Sequence, residues 1–284
     1  MRERIVIEQA LSALQAKGLD RREAQLLTLH VLGLNVEQRS WLLTHNADQL
    51  DAQQWERLQS LAQRRLNQEP MAYLTGSQAF YGLTLQVSPQ VLVPRPDTET
   101  LVDWALERIP KQGARVLDLG TGSGAIALAI KSQRPGAEVF AVDCSEAALT
   151  VARNNAQGLG LAVTFYAGDW YKALPSGTDL FDCVVANPPY IAQNDHHLPG
   201  LWAEPQSALI SGADGLDDLR QIITGARRYL RPGAWLLLEH GHEQASAVRD
   251  ILLQAGLTNA QSRRDIQHIE RCSGARAPLE DIPT

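Results

Sequence analysis

The chain has 284 residues, of which 44% are hydrophobic, and it carries a formal net charge of -6. This length predicts a main domain of about 200 residues with a smaller domain beside it. The negative charge supplies no overall positive field for a nucleic-acid backbone, which disfavours DNA as a substrate. Cys144, Cys183 and Cys272 lie too far apart for a local disulfide framework or zinc knuckle, so we expect a reduced, cytoplasmic setting.

The N-terminal part of the chain has the apolar spacing of amphipathic helices, notably in residues 21–32 and 55–66. The only apolar run near the start covers residues 5–7, and nothing downstream approaches the length of a membrane span. We therefore expect no membrane association. Acidic and basic residues balance in this part, so it offers no basic surface. Residues 1–76 are interpreted as a small helical domain.

The pattern changes after Phe80, where residues 83–87 alternate between apolar and polar. Ser88-Pro89-Gln90 has the composition of a turn. We therefore predict a β-hairpin linker over residues 77–95 that turns at residues 88–90. Proline and acidic residues then open a helix, and residues 96–284 are assigned to a second domain.

Strands and helices alternate through this second domain. The strands are predicted at residues 115–119, 138–143, 163–166, 182–186 and 235–239, with helices after Gly124, through Asn154 and over 216–230. Such alternation predicts an α/β fold with a mostly parallel sheet and helices on both faces. Ligands bind beyond the carboxyl ends of strands in open sheets of this kind, so the residues there are candidates for the site.

A glycine-rich loop follows the first of these strands. Its candidate cofactor-binding residues are Asp118, Gly120, Thr121, Gly122, Ser123 and Gly124. Glycines allow a bound group to approach the backbone, and the following helix presents N–H donors. The loop also satisfies the dinucleotide fingerprint G-x-G-x-x-G/A, so a nicotinamide cofactor has to be considered.

Carboxylates near the loop discriminate between the two cofactors. Asp143 ends the next strand, where it can accept both ribose hydroxyls of an adenosine, which NAD and S-adenosylmethionine share. Asp118 would repel a pyrophosphate but suit a ligand that bears an ammonium and a sulfonium, so it favours the methyl donor. Asp169 and Trp170 either hold the adenine or act as a helix cap and a core residue, and the local sequence does not decide between these alternatives.

The tetrapeptide Asn187-Pro188-Pro189-Tyr190 follows the fourth strand. Two consecutive prolines leave a rigid backbone without N–H donors, and the asparagine adds an acceptor oxygen. A rigid array of acceptors suits a substrate NH2 group. The same four residues in an isolated loop would indicate only a turn.

The glycine loop, the distal acid and NPPY together resemble class I methyltransferases that act on adenine N6 or glutamine N5. The flanking sequence resembles the PrmC/HemK family over nearly the whole chain. The matching segments are Arg64-Arg65, 70–76, 80–82, 93–99, Glu204-Pro205, Ala208-Leu209, 212–217 and 238–241. The sequence departs from the family after Arg264-Asp265, which leaves the pairing of the last strand and the tail open.

This resemblance implies a class I, Rossmann-like methyltransferase domain with a mostly parallel seven-stranded sheet, and an N-terminal helical substrate-recognition domain joined to it by the hairpin. It implies transfer of a methyl group from S-adenosylmethionine to glutamine N5 in the Gly-Gly-Gln motif of peptide-chain release factors, which would be protein partners. The Asn187 side-chain oxygen and the Pro188 carbonyl would accept the two substrate N–H groups, and Tyr190 would form a wall beside the substrate.

Several alternatives remain open. An adenine-N6 methyltransferase or a ribosomal-protein glutamine methyltransferase would share the loop and NPPY, whereas a NAD oxidoreductase would leave NPPY without a task. A non-catalytic adenosylmethionine-binding protein would share the fold alone. We expect no metal: surface or loop roles are assigned to His196, His197, His240 and His242, and Cys144 is expected to be inert. Arg95 is assigned either a substrate contact or a structural role.

Overall fold

The computed structural model describes residues 5–36 and 38–279. The chain divides into two compact units, Met1–Ser77 and Gln78–Thr284. Within the described ranges, no helix combines the length and the apolar character needed to cross a bilayer.

The first unit is helical. Its elements are β1 (Ile5–Val6), α1 (Ile7–Ala16), α2 (Arg21–Val31), α3 (Trp41–Thr44), β2 (Gln49–Leu50), α4 (Ala52–Leu66) and α5 (Met71–Thr75). The helix α4 begins at a capping box, in which the Gln54 N–H donates to the Asp51 carboxylate and the Asp51 N–H donates to the Gln54 side-chain oxygen. Leu14, Leu27 and Leu58 are fully buried and bring α1, α2 and α4 together. The predicted helices at 21–32 and 55–66 are confirmed.

A β-hairpin follows, formed by β3 (Ser77–Phe80) and β4 (Leu83–Gln86). The predicted hairpin exists, and the predicted turn at residues 88–90 is present, since the Val91 N–H donates to the Ser88 carbonyl at 3.1 Å. That turn follows β4, however, and β3 and β4 are joined by an earlier turn. The chain turns at Tyr81 and Gly82, which have φ values of +49° and +76°. Positive φ at two successive residues gives a turn whose twist matches the flanking strands, and glycine adopts it without strain.

The remainder of the second unit alternates between strands and helices. Its elements are a 3₁₀ turn (Pro96–Thr98), α6 (Glu99–Arg108), β5 (Arg115–Leu119), α7 (Ala125–Gln133), β6 (Glu138–Asp143), α8 (Glu146–Leu159), β7 (Thr164–Ala167), a 3₁₀ turn (Trp170–Ala173), β8 (Phe181–Ala186), two 3₁₀ turns (Leu198–Leu201 and Gln206–Ala208), α9 (Asp217–Ala226), β9 (Leu230–Glu239), α10 (Ala245–Gln254), β10 (Thr258–Arg264) and β11 (Glu270–Arg276).

The strands form one seven-stranded sheet in the order β10-β11-β9-β8-β5-β6-β7. The five strands from β9 to β7 pair in parallel, while β11 pairs antiparallel with both β9 and β10. The predicted mostly parallel sheet is therefore confirmed. The sequence left the pairing of the last strand open. In the structure this strand is β11, which lies between β9 and β10 and has Cys272 opposite Glu239. Residues 280–284 of the tail lie outside the described residues.

Successive residues of the central strands point to opposite sides of the sheet, and both sides are apolar. Helices therefore cover both faces. Val116 belongs to the core on one face and Leu117 to the core on the other. Along the chain, β6 and β7 extend the sheet on one side of β5, and β8 then returns to its other side. Such a reversal opens a crevice at the carboxyl ends of the strands on either side of it, here β5 and β8.

Candidate active site

A cavity of about 360 Å³ lies at the carboxyl ends of β5, β6 and β8. The predicted site residues that line it are Gly120, Gly122, Ser123, Asp143, Asp169, Trp170, Asn187 and Pro189. Other predicted site residues lie behind its wall or beside it, namely Asp118, Thr121, Gly124, Pro188 and Tyr190. The pairing of β5 with β8 explains why the glycine loop and NPPY meet at this cavity. Leu119 pairs with Ala186, so Gly120 and Asn187, the next residue of each segment, lie side by side.

The glycine loop folds back onto the end of β6. The Gly120 N–H donates to the Val142 carbonyl at 2.8 Å, and the Gly122 N–H donates to Asp143 Oδ2 at 2.8 Å. Gly120 has φ of +73°, and a Cβ there would lie 3.1 Å from the Trp170 ring. Glycine is therefore required by both the backbone conformation and the close packing of the indole.

Asp118 lies beneath this loop and is fully buried. Its Oδ2 accepts hydrogen bonds from Thr121 Oγ1 at 2.7 Å and from the Ala127 N–H at 3.2 Å. Burial raises the pKa of this carboxyl to about 7, and the nearby Asp143 adds to the shift. The contacts place Asp118 as the residue that shapes the loop from behind.

Asp143 is partly exposed at the cavity wall. Its Oδ1 accepts from the Ser145 N–H at 2.9 Å, while its other oxygen holds the glycine loop. Burial raises its pKa, and these backbone donors oppose the shift. A carboxylate oxygen that accepts one hydrogen bond retains lone pairs for a hydroxyl in the cavity.

Trp170 and Asp169 form another part of the wall. The Trp170 backbone has φ of +45°, and its ring packs between the cavity and the core that contains Tyr171. Asp169 is half-exposed, and its carboxylate accepts from Lys172 Nζ at 2.6 Å and from Gln221 Nε2 at 3.2 Å. The structure thus gives Trp170 a core contact and a cavity contact at once.

Asn187 has its amide fixed on one side. Its Nδ2 donates to Thr98 Oγ1 at 3.3 Å. Its Oδ1 is buried and accepts no hydrogen bond from the residues that the structure describes. Since Asn187 also lines the cavity, the free acceptor belongs to the cavity wall.

The rest of the tetrapeptide is held by the loops behind it. The Tyr190 carbonyl accepts from Gln244 Nε2 at 3.1 Å, and Gln244 Oε1 in turn accepts from the Gly241 N–H at 2.8 Å. Burial raises the pKa of the Tyr190 hydroxyl well above its usual value, so that group stays protonated. Pro189 lines the cavity, while Tyr190, which is predicted to form a wall beside the substrate, packs against the core.

The histidines divide into two groups. His196 and His197 lie with Asp195 at the surface, as expected. His240 does lie in the loop that follows β9, but it is not at the surface. Its side chain is fully buried, its Nε2 lies 2.7 Å from Ser273 Oγ, and burial lowers its pKa. Cys144 is exposed at the cavity, and desolvation together with Asp143 raises its pKa, which keeps it a neutral thiol.

The sequence was compared with protein families and curated relatives. Residues 6–76 match the PrmC N-terminal domain, and residues 110–271 match a methyltransferase domain. A release factor glutamine methyltransferase from Bordetella pertussis is 50% identical over 260 residues, which cover 90% of this chain and 95% of the relative. The relative of that name from Escherichia coli is 42% identical over 273 residues, which cover 95% and 97%. The chain belongs to the release factor glutamine methyltransferase family.

Membership of the release factor glutamine methyltransferase family confirms the resemblance predicted from the glycine loop and NPPY, and the methyl donor of this family is S-adenosylmethionine. A methyltransferase structure from Pyrococcus furiosus has a TM-score of 0.55 at 18% identity and covers 76% of this chain and 97% of its own. At that identity the likeness shows the fold alone.

The cavity fits the donor of the release factor glutamine methyltransferases. Its volume of about 360 Å³ falls within the range of small-ligand sites, and its wall combines the Trp170 ring and Ile126 with the Asp143 carboxylate. An apolar face and a ribose-binding carboxylate are what an adenosine requires. Two acidic residues near this cavity, Glu204 and Glu239, had no role predicted from the sequence, although the position of Glu239 at the end of a strand could have identified it.

Proposed function

We propose that this chain transfers a methyl group from S-adenosylmethionine to the side-chain N5 of the glutamine in the Gly-Gly-Gln motif of peptide-chain release factors. The names of relatives that are 42% and 50% identical support this substrate. The observation that carries the chemistry is the buried Asn187 Oδ1, an acceptor without a partner among the described residues, in the wall of the cavity.

S-adenosylmethionine supplies an electrophilic methyl carbon when it is bound, and breaking its sulfur–methyl bond leaves S-adenosylhomocysteine as the second product. Asp143 would accept the ribose hydroxyls with the lone pairs that Gly122 and Ser145 leave free. Trp170 would contact the adenine and Asp169 its amino group, while the loop from Gly120 to Gly124 would follow the backbone of the donor. The Asp118 carboxylate, together with Thr121 and Ser123, would hold the loop in the shape that this requires.

The acceptor nitrogen is an amide nitrogen, whose lone pair is delocalised and therefore poorly nucleophilic. Asn187 Oδ1 and the Pro188 carbonyl would accept its two N–H groups and turn the lone pair towards the methyl carbon. Positive charge grows on the nitrogen during transfer, so fixed acceptor dipoles bind the transition state better than the ground state. Each well-placed group of this kind contributes about 3 kcal/mol.

The rigidity of the array has a structural origin. Two prolines fix the backbone of the tetrapeptide, Gln244 holds the Tyr190 carbonyl, and Thr98 holds the Asn187 amide. Pro189 then closes one side of the cavity. Preorganised acceptors need no reorientation during the reaction. The methylated amide cation is strongly acidic, so it releases its proton to water without a strong base from the protein.

The test is transfer of a radiolabelled methyl group, with four samples compared side by side. These samples contain a release factor, its variant with alanine at the Gly-Gly-Gln glutamine, double-stranded DNA, and no acceptor. We expect label in the unaltered release factor alone. Label in DNA would indicate an adenine methyltransferase, and label in the alanine variant would place the methyl group at another residue; either result would contradict the proposal.

A further inference from the structure

Glu239 is a buried carboxyl group at the end of the strand next to the one that Asn187 follows. It ends β9 and is 2% exposed. Leu238 pairs with Ala186 of the neighbouring parallel strand, so Glu239 and Asn187 are the next residues of two adjacent strands. Its Oε2 accepts no hydrogen bond from the described part of the chain.

Thr98 completes this group from the opposite side. It is 3% exposed and lies at the end of the 3₁₀ turn before α6, where its Oγ1 accepts from Asn187 Nδ2. The Thr98 hydroxyl and the Asn187 amide both lower the pKa of Glu239 and so favour its charged form. A hydroxyl that accepts from Asn187 still has its own proton, which it can donate to a nearby carboxylate.

An asparagine amide has two similar ends, and either end fits the same space. An ionised carboxylate accepts hydrogen bonds and cannot donate them, so it attracts Nδ2 and repels Oδ1. We propose that Glu239, acting with Thr98, is a positioning residue that holds the Asn187 amide with Nδ2 towards the strand ends and Oδ1 available to the substrate. This role rests on the proposed function, because it assumes that Oδ1 accepts an N–H of the substrate amide.

The orientation is expected to depend on pH. Burial raises the pKa of Glu239 to about 7, while the polar groups of Thr98 and Asn187 and the charge of Arg271 oppose the shift and Asp97 reinforces it. Tyr190 and Cys272 also face the group, but burial keeps both protonated. Below about pH 7 a protonated Glu239 can donate a hydrogen bond, and it then no longer distinguishes the two ends of the Asn187 amide.

The variants Glu239→Gln and Thr98→Val test this role, with Thr98→Ser as the matched control that keeps the hydroxyl. We expect kcat to fall about tenfold in Glu239→Gln and Thr98→Val, while the KM for S-adenosylmethionine stays within twofold. Thr98→Ser should stay within threefold of the wild type in both constants. The wild-type kcat should rise with pH through about 7, and this rise should be absent from Glu239→Gln.

A readout without substrate separates this inference from the proposed function. In ¹⁵N-labelled protein, the side-chain amide signal that disappears in Asn187→Ala should titrate with a midpoint near 7 in the wild type and stay constant in Glu239→Gln. Absence of that titration, or a kcat within twofold of the wild type in both test variants, would overturn the positioning role. Failure of the wild type to methylate glutamine would overturn the proposed function alone.

Discussion

Arg95 forms an ion pair with Glu204, a residue 109 positions later in the chain that is only 3% exposed. Glu204 also accepts a hydrogen bond from the Val93 N–H at 3.2 Å. Arg95 and Pro205 both line the cavity, so this carboxylate joins the segment after the hairpin to the segment beyond NPPY. These contacts give Arg95 a structural role, one of the two roles that its sequence position allowed.

Replacement of Arg95 by alanine should destabilise the protein, because it leaves the Glu204 carboxylate buried without its cation. Breaking a fully buried pair costs about 3–5 kcal/mol, but Arg95 is 38% exposed and solvent screening reduces the effect. We expect a loss of about 1–2 kcal/mol in the free energy of unfolding, measured by urea denaturation. Arg95→Lys keeps the charge and serves as the control. Equal midpoints for the alanine variant and the wild type would show that the pair contributes nothing.

Removal of the carboxylate in Asp118→Asn should reduce the pH dependence of stability. The pKa of Asp118 is raised to about 7 in the folded state, so the folded protein binds this proton more tightly than the unfolded chain does. The resulting stabilisation is complete below about pH 4 and is lost as the pH rises to about 7. Denaturation across this range should show a decline of roughly 3 kcal/mol in the wild type that is weaker in the variant.

The same Asp118→Asn variant tests the charge argument made from the sequence. Asparagine keeps an oxygen for Thr121 and the Ala127 N–H, so the loop should retain its shape. We expect weaker binding of S-adenosylmethionine in calorimetry, because a negative charge near its ammonium and sulfonium groups is lost. Unchanged affinity at pH 8 would restrict Asp118 to shaping the loop.

Asn187→Ala should cut turnover at least tenfold while leaving the affinity for S-adenosylmethionine within about twofold. The substitution removes an acceptor that acts mainly in the transition state and leaves Asp143 and Trp170 in place. Single-turnover methyl transfer and equilibrium binding measure the two effects separately. Wild-type turnover in this variant would eliminate the proposed role of Oδ1.

Asn155 connects the hairpin to the glycine loop. Its Oδ1 accepts from the Gln86 N–H at 2.7 Å, and its Nδ2 donates to the Gln86 carbonyl at 3.0 Å and to the Ser123 carbonyl at 2.9 Å. Asn155→Ala leaves three backbone groups without this partner, so we expect a loss of about 2–4 kcal/mol in stability and weaker donor binding. The exposed neighbour Asn154 provides the control, and Asn154→Ala should change neither quantity.

The sequence predicted the features that depend on neighbouring residues. The buried central strands appear as short apolar runs, and the glycine loop and NPPY directly follow two of them. The turn at residues 88–90 was predicted from its Ser-Pro-Gln composition, whereas the turn that joins β3 and β4 was missed because Tyr81-Gly82 has a weaker turn composition. The roles of Thr98, Glu204 and Asn155 were missed because they depend on hydrogen bonds to residues that are distant in sequence. In the bonds to Asn187, Val93 and Ser123, the partners are at least 32 residues apart.

The matched ends of β5, β8 and β9 limit how such a site can change. Successive side chains of a strand point to opposite faces, so inserting or deleting one residue within β8 would carry Asn187 away from Gly120 and reverse which core its neighbours enter. Strand length is therefore fixed by the chemistry at its end. A site of this kind can therefore be adapted to other acceptor nitrogens in two ways. One is substitution of residues without a change in strand length, and the other is insertion or deletion in the segments after NPPY, which lie outside the sheet.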